Sequence, residues 1–176
     1  MKFFSKLNLI FIVVTIFLSG CIIQSKQLSG ILELIRDPSI DLSMNSWLVR
    51  YSDYESIVYA VSTPNGTLFS NSSGDQVLFD GWVIRKVRGM GYYQVNISIN
   101  DVLNDRVFKR GTMILSNHEC DQWRKQESVG LVRFSQYCSN RIAYKNSILV
   151  QSNGEISVIR QIVDEKDTVL TLSKLK

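Results

Sequence analysis

Histidine and proline are nearly absent from this sequence, with one and two copies in 176 residues. The presence of a single histidine excludes most general acid–base mechanisms unless His118 itself takes part. The sequence also lacks the Gly-x-Ser-x-Gly turn of serine hydrolases and any glycine-rich phosphate-binding loop. The chain has few prolines, no internal repeat and no low-complexity segment. The sequence therefore gives little indication of a second domain. We therefore expect no catalytic residues and no cofactor.

The net charge is also small, because the chain has 20 basic and 16 acidic side chains. This balance is too weak to indicate a nucleic-acid partner. One basic cluster stands out, formed by Arg85, Lys86 and Arg88 a few residues after Trp82. It fits an edge strand whose cations discourage pairing with another sheet. It also fits contact with an acidic glycan or with phospholipid headgroups, for which these four residues are the candidates.

The chain has one long apolar run, Leu7–Leu18, and two lysines precede it. About a dozen residues are too few to span a membrane, which takes roughly 20, so the run is typical of a secretory signal peptide. The following Leu18-Ser19-Gly20-Cys21 resembles the lipobox of bacterial lipoproteins. That resemblance implies cleavage before Cys21 and a lipid anchor of two or three acyl chains, such as palmitate, on this cysteine. In bacterial lipoproteins an aspartate directly after the lipidated cysteine commonly signals retention in the inner membrane, so by this resemblance Ile22 favours the outer membrane.

These signals divide the chain into a signal peptide (1–20), a lipidated tether (21–29) and a single β-rich periplasmic domain (30–176). Removal of the signal peptide leaves 18 basic against 16 acidic side chains, a net charge of +2.

Cys120 and Cys138 then remain as an even pair in an exported chain, which predicts a disulfide. A metal site at His118–Asp121 is disfavoured because four adjacent residues do not easily surround one ion.

The periodicity of the sequence is mainly that of strands. Leu28–Arg36 has the apolar spacing of a short amphipathic helix that ends before Pro38. From Trp47 onward, β-branched and aromatic runs alternate with turn residues and predict nine or ten strands. Tyr93–Asn100 alternates most clearly, whereas the polar stretch His118–Ser128 predicts a loop or a short helix. We expect a mainly β fold: a curved antiparallel sheet or an open β-barrel with one short N-terminal helix.

Other polar and aromatic residues have two interpretations each. His118 is expected to be a polar loop residue rather than a catalytic base, and Asp164, Glu165 and Asp167 to be turn residues. Five aromatic residues are suited to stacking on sugars but fit a core or a sheet surface equally well. They are Trp47, Trp82, Trp123, Tyr92 and Tyr93.

Two stretches, Tyr54–Gly89 and Ile148–Leu175, are similar to outer-membrane lipoproteins encoded with capsule and exopolysaccharide export systems, the YjbF/GfcB type. In the first, an apolar strand, a polar turn and Asp80-Gly81 lead into a basic strand; the second resembles the family's closing hairpin and final strand. The resemblance implies a non-enzymatic accessory of polysaccharide secretion or assembly, with polysaccharide or export proteins as partners. Two alternatives remain: an acyl-chain carrier similar to the LolA/LolB type, and a hydrolase of envelope glycans.

Overall fold

The computed structural model describes residues 45–102 and 105–175 of the chain. The predicted signal peptide, the predicted anchor at Cys21 and the predicted helix Leu28–Arg36 lie outside these residues. The described chain is built almost entirely of strands. They are β1 (Ser46–Tyr51), β2 (Tyr54–Thr63), β3 (Gly66–Ser70), β4 (Gln76–Phe79), β5 (Ile84–Gly89), β6 (Val95–Val102), β7 (Asp105–Arg110), β8 (Met113–Cys120), β9 (Arg124–Ser128), β10 (Leu131–Ser139), β11 (Ala143–Gln151), β12 (Ile156–Ile162) and β13 (Val169–Lys174).

The strands form a barrel-like sheet that closes on itself. β1 to β8 pair in chain order, β8 pairs with β10, β10 to β13 continue in order, and β13 returns to β1. All of these pairings are antiparallel. Twelve of the described strands, all except β9, form the ring. β9 stays outside the ring and pairs with β10. The prediction of a mainly β, curved antiparallel fold is confirmed, and closure of the ring removes the sheet edges that an open form would expose.

Side chains from all around the ring fill its interior. β6 shows the alternation expected from the sequence, since Val95, Ile97 and Ile99 are buried while Asn96 and Asn100 are exposed. Trp47 packs edge-on against Phe69, with ring centroids 5.0 Å apart. Burial of such large apolar side chains supplies the main driving force for folding. The interior of the ring is therefore a packed core.

Gln161 of β12 links two walls of the ring through the interior. Its side chain is almost fully buried and accepts a 3.0 Å hydrogen bond from the backbone N–H of Ile84. Its amide nitrogen donates a 2.7 Å bond to the carbonyl oxygen of Trp82. Both polar ends of the amide are thus satisfied, which offsets the cost of burying it.

The narrowest pairing in the ring lies between β8 and β10. Only two residue pairs are in register there, Cys120 with Cys138 and Glu119 with Ser139. The predicted disulfide between Cys120 and Cys138 is confirmed, and it joins the two strands directly at this position. One further backbone bond follows, from Asp121 to Tyr137 at 2.8 Å. The disulfide therefore closes the ring covalently where hydrogen bonding is sparsest.

The prediction for His118–Ser128 is wrong. His118 lies within β8 and is fully buried, and β9 covers Arg124–Ser128. Every residue of β9 is exposed, so no apolar alternation marks it in the sequence. The polar composition reflects a strand on the outside of the ring and not a loop.

Candidate functional site

The four predicted contact residues do not form one site. Arg85 is held by two carboxylates, at 2.5 Å from Asp80 and 3.2 Å from Asp101. Lys86 and Arg88 are exposed and make no ion pair within the described ranges. Their strand, β5, pairs with β4 on one side and β6 on the other, so the interpretation as an edge strand is wrong.

Trp82 lies in the turn before β5 and precedes Arg88 by six residues. An extended chain of that length spans up to about 20 Å. Its indole contacts Trp123 and Phe134, with ring centroids 5.7 and 5.1 Å apart. The side chain is 46% exposed. Trp82 is therefore part of a surface aromatic cluster (Trp82, Trp123, Phe134) separate from Arg88.

A different group of residues marks one end of the ring by its backbone conformation. Left-handed φ angles occur at four non-glycine residues of the described chain: Ser52, Met90, Gln94 and Asp167. They belong to the turns between β1 and β2, β5 and β6, and β12 and β13. Left-handed non-glycine residues cost free energy and concentrate at functional sites. This end of the ring is therefore the candidate functional site.

Asp75 holds the loop between β5 and β6 in place. Its carboxylate is 1% exposed and accepts bonds from the backbone N–H groups of Met90 and Gly91, at 2.7 and 3.2 Å. The other oxygen accepts bonds from the hydroxyl of Tyr54 and the amide of Asn71. Burial raises the pKa of Asp75, but these hydrogen bonds outweigh it and hold the pKa below its usual range. Asp75 therefore stays ionised and fixes the loop.

Glycine is required at Gly91 on two counts. Its φ is +57°, and a Cβ added there would lie 2.5 Å from the Cε2 atom of Tyr54. Gly111 has a similar φ of +61° but no atom within 4 Å of an added Cβ.

We expect Gly91→Ala to lower the free energy of unfolding by about 3 kcal/mol and Gly111→Ala by about 1 kcal/mol. Both variants introduce the same conformational strain, so the difference isolates the clash with Tyr54. Urea denaturation measures both values. Equal losses in the two variants would show that the Tyr54 ring moves aside freely.

Two open depressions flank the loop between β5 and β6. The first has a volume of about 380 Å³ and the second about 240 Å³, and both are lined by Gln94, Val95 and Asn96. The lining of the first also includes Asp75 and Arg88, and the lining of the second also includes Tyr51, Tyr93, Arg110, Asp164, Glu165 and Lys166. We call this pair the loop groove. Its lining of amides, cations and carboxylates is suited to hydrogen bonding with a polar ligand.

Two tyrosines stand beside the loop groove as an exposed pair. The rings of Tyr92 and Tyr93 stack with centroids 4.5 Å apart, and Tyr92 is 68% exposed. Both hydroxyl groups donate to the same oxygen of Asp53, which holds the pKa of that carboxyl below its usual range. The same bond raises the pKa of Tyr92. The rings are thus pre-oriented by the turn between β1 and β2.

Tyr51 and Asp164 are buried residues in the lining of the second depression. The Tyr51 hydroxyl donates a 2.5 Å bond to Asp164, and burial followed by this bond raises the tyrosine pKa. Asp164 also accepts bonds from the backbone N–H groups of Lys166 and Thr168. The expectation that this acidic stretch forms a turn holds, because it connects β12 to β13. Asp164 is nevertheless buried, and its carboxylate organises the turn.

His118 lies in the interior and not on a polar loop. Its two ring nitrogens lie 2.8 Å from the Tyr144 hydroxyl and 2.9 Å from the Ser116 hydroxyl. Burial is the main cause that lowers its pKa, so the imidazole stays neutral near pH 7. A serine beside a histidine resembles a nucleophile and its base. Here the imidazole is fully buried and packs against Phe108 at 4.5 Å, which closes it to solvent.

Among the residues described, no group of three or more His, Cys, Asp and Glu side chains is placed to hold a metal ion. Nor does that part of the chain contain a helix with the length and apolar character needed to cross a membrane. Comparison of the chain with protein-family models, curated proteins and solved structures found no match.

Proposed function

We propose that this chain is a lipid-anchored lipoprotein of the bacterial outer membrane that binds polysaccharide through the loop groove. It acts there as a non-enzymatic accessory in the secretion or assembly of capsule or exopolysaccharide. The anchor is Cys21, and the domain faces the periplasm. The observation that carries the proposal is the exposed Tyr92–Tyr93 pair beside a groove of amide, cationic and carboxylate groups.

This combination has the chemistry that recognises sugars. Aromatic rings pack against the apolar faces of pyranose rings, while amides and charged groups bond to the hydroxyl groups around them. Arg88 and Lys166 are exposed at the groove and form no ion pair in the described part of the chain. Free cations of this kind favour a glycan that carries carboxylate or phosphate groups.

The packed interior supports an accessory role over that of an acyl-chain carrier. A carrier needs an apolar cavity long enough for hydrocarbon. Here the buried side chain of Gln161 crosses the interior and bonds to the backbone of Ile84 on the opposite wall. The burial of His118 likewise supports a structural role for the serine–histidine pair. Both features favour a ligand that binds outside the ring.

The proposal predicts that Tyr92→Ala weakens binding of an acidic capsular polysaccharide by about ten-fold, or about 1.4 kcal/mol. Tyr92→Phe keeps the ring and loses only the hydroxyl, so it should remain within about two-fold of the original chain. Tyr59→Ala, an exposed tyrosine on β2, serves as the matched control and should leave the affinity unchanged. Isothermal titration with a panel of purified acidic and neutral bacterial polysaccharides measures these affinities.

Equal affinities in the Tyr92→Ala and Tyr59→Ala chains would overturn the loop groove as the binding site. A native mass spectrum separates the acyl-carrier alternative. Apart from the covalent anchor, one bound phospholipid per chain would favour the carrier and contradict our proposal.

A further inference from the structure

β9 is the one described strand that lies outside the closed ring. It pairs with β10 from Arg124 to Ser128, and its other side has no partner strand among the described residues. All five of its residues are exposed. An unpaired strand of this kind presents N–H and C=O groups that can pair with another strand.

The hairpin geometry determines which residues face the open side. Val129 and Gly130 form a two-residue turn, which makes Ser128 and Leu131 the closing hydrogen-bonded pair. Hydrogen-bonded pairs then recur at every second residue toward Arg124. The backbone groups of Lys125 and Glu127 consequently point away from β10, toward the open side.

The sequence of β9 is complementary to itself in one antiparallel register. When Gln126 of one copy faces Gln126 of another, Lys125 lies opposite Glu127 and Glu127 opposite Lys125. Each of these two pairs can exchange both of its backbone hydrogen bonds. A shift by two residues in either direction sets Lys125 against Lys125, or Glu127 against Glu127. Like charges directly opposite each other destabilise a sheet, so one register is selected.

The same register also pairs apolar surface. Val129 at the tip of the hairpin is fully exposed, at 103% of its reference area. In this register it faces Trp123 of the second copy, which belongs to the surface aromatic cluster with Trp82 and Phe134. Burying an exposed valine against an indole adds an apolar contribution to the backbone pairing.

From this complementarity we propose that β9 is a homodimer interface, in which two copies of the chain pair antiparallel about a twofold axis at Gln126. The interface is isologous, because the same strand contributes both sides. A five-residue strand buries little area, so the dimer is weak in dilute solution. It therefore forms best where copies are concentrated.

Cysteine cross-linking of the full-length chain in the membranes of producing cells tests the axis. Gln126 faces itself across a non-hydrogen-bonded pair, where the Cα atoms are about 4.5 Å apart and within the range of a disulfide. We expect Gln126→Cys to give about ten-fold more disulfide-linked dimer on a non-reducing gel than Arg124→Cys or Ser128→Cys alone. Those two variants should cross-link to each other when co-produced, since they face one another in this register.

Charge exchange tests the register in the Gln126→Cys chain. Lys125→Glu sets like charges opposite each other and should lower the dimer yield by about five-fold. Adding Glu127→Lys restores both opposite-charge pairs and should restore the yield. Cross-linking equal to that of the Arg124→Cys control, or unaffected by Lys125→Glu, would overturn the proposal.

Discussion

Replacing Cys120 and Cys138 together with alanine is expected to lower the free energy of unfolding by about 3 kcal/mol. The disulfide spans 18 positions of the chain, and a cross-link of that span removes about this much chain entropy from the unfolded state. It also lies where only two residue pairs join β8 to β10. We therefore expect the loss to appear as opening of the ring at this position.

Urea denaturation and thermal melting of the oxidised chain and of the double variant measure the effect. A loss of 3 kcal/mol corresponds to a melting temperature lower by about 10 °C in a domain of this size. The original chain under reducing conditions is the control, because it loses the bond without losing the sulfur atoms. It should match the variant to within about 1 kcal/mol. A reduced chain as stable as the oxidised one would show that the hydrogen bonds alone close the ring.

The second large effect is expected from Asp75→Asn. The buried carboxylate accepts hydrogen bonds from two backbone N–H groups, a tyrosine hydroxyl and an asparagine amide. An asparagine would turn an NH₂ group toward some of these donors and would remove the negative charge that strengthens every bond. We expect the free energy of unfolding to fall by about 3 kcal/mol near pH 7.

The effect of Asp75→Asn should depend on pH. Because the pKa of Asp75 is lower in the folded state, its contribution is present above the unfolded value of 3.8 and is lost as pH falls through the folded value. The difference between the two chains should therefore shrink below about pH 4. Asp121→Asn is the matched control, since that carboxylate is 56% exposed and forms a surface ion pair with Arg124. It should cost less than about 1 kcal/mol at any pH.

Local sequence patterns are enough to predict most of the strands, the disulfide and several turns. β6 follows the alternation of Tyr93–Asn100 closely, although Tyr93 itself is exposed in the short 3-10 turn that precedes the strand. Closure of the ring was not predictable, because it depends on the pairing of β13 with β1 between residues far apart in the chain. β9 was missed because an exposed strand carries no apolar period.

The candidate site was only partly predictable. The sequence indicates Tyr92 and Tyr93 as sugar-stacking candidates and Asp164 as a turn residue, but it does not indicate that Asp53, Asp75 and Asp164 hold the surrounding loops in place. Each carboxylate accepts at least one hydrogen bond from a donor 15 or more positions away, such as Met90 for Asp75, and no local motif identifies such a partner. The glycines on either side of Met90 were the one available signal, because such a spacing indicates left-handed backbone. The predicted basic contact site is not formed, because Arg85 is held by Asp80 and Asp101, whereas Lys86 and Arg88 make no ion pair among the described residues.

Hydrogen exchange of the full-length chain with and without a bound acidic polysaccharide locates the polysaccharide-binding site. We expect slower exchange in the loops around the loop groove: residues 51–54, 71–75, 89–97 and 163–168. Exchange at the turn that carries Trp82 and in β8 around the buried His118 should not change. Protection centred on Trp82 and Trp123, with none at Tyr92 and Tyr93, would contradict this expectation and move the binding site to the surface aromatic cluster.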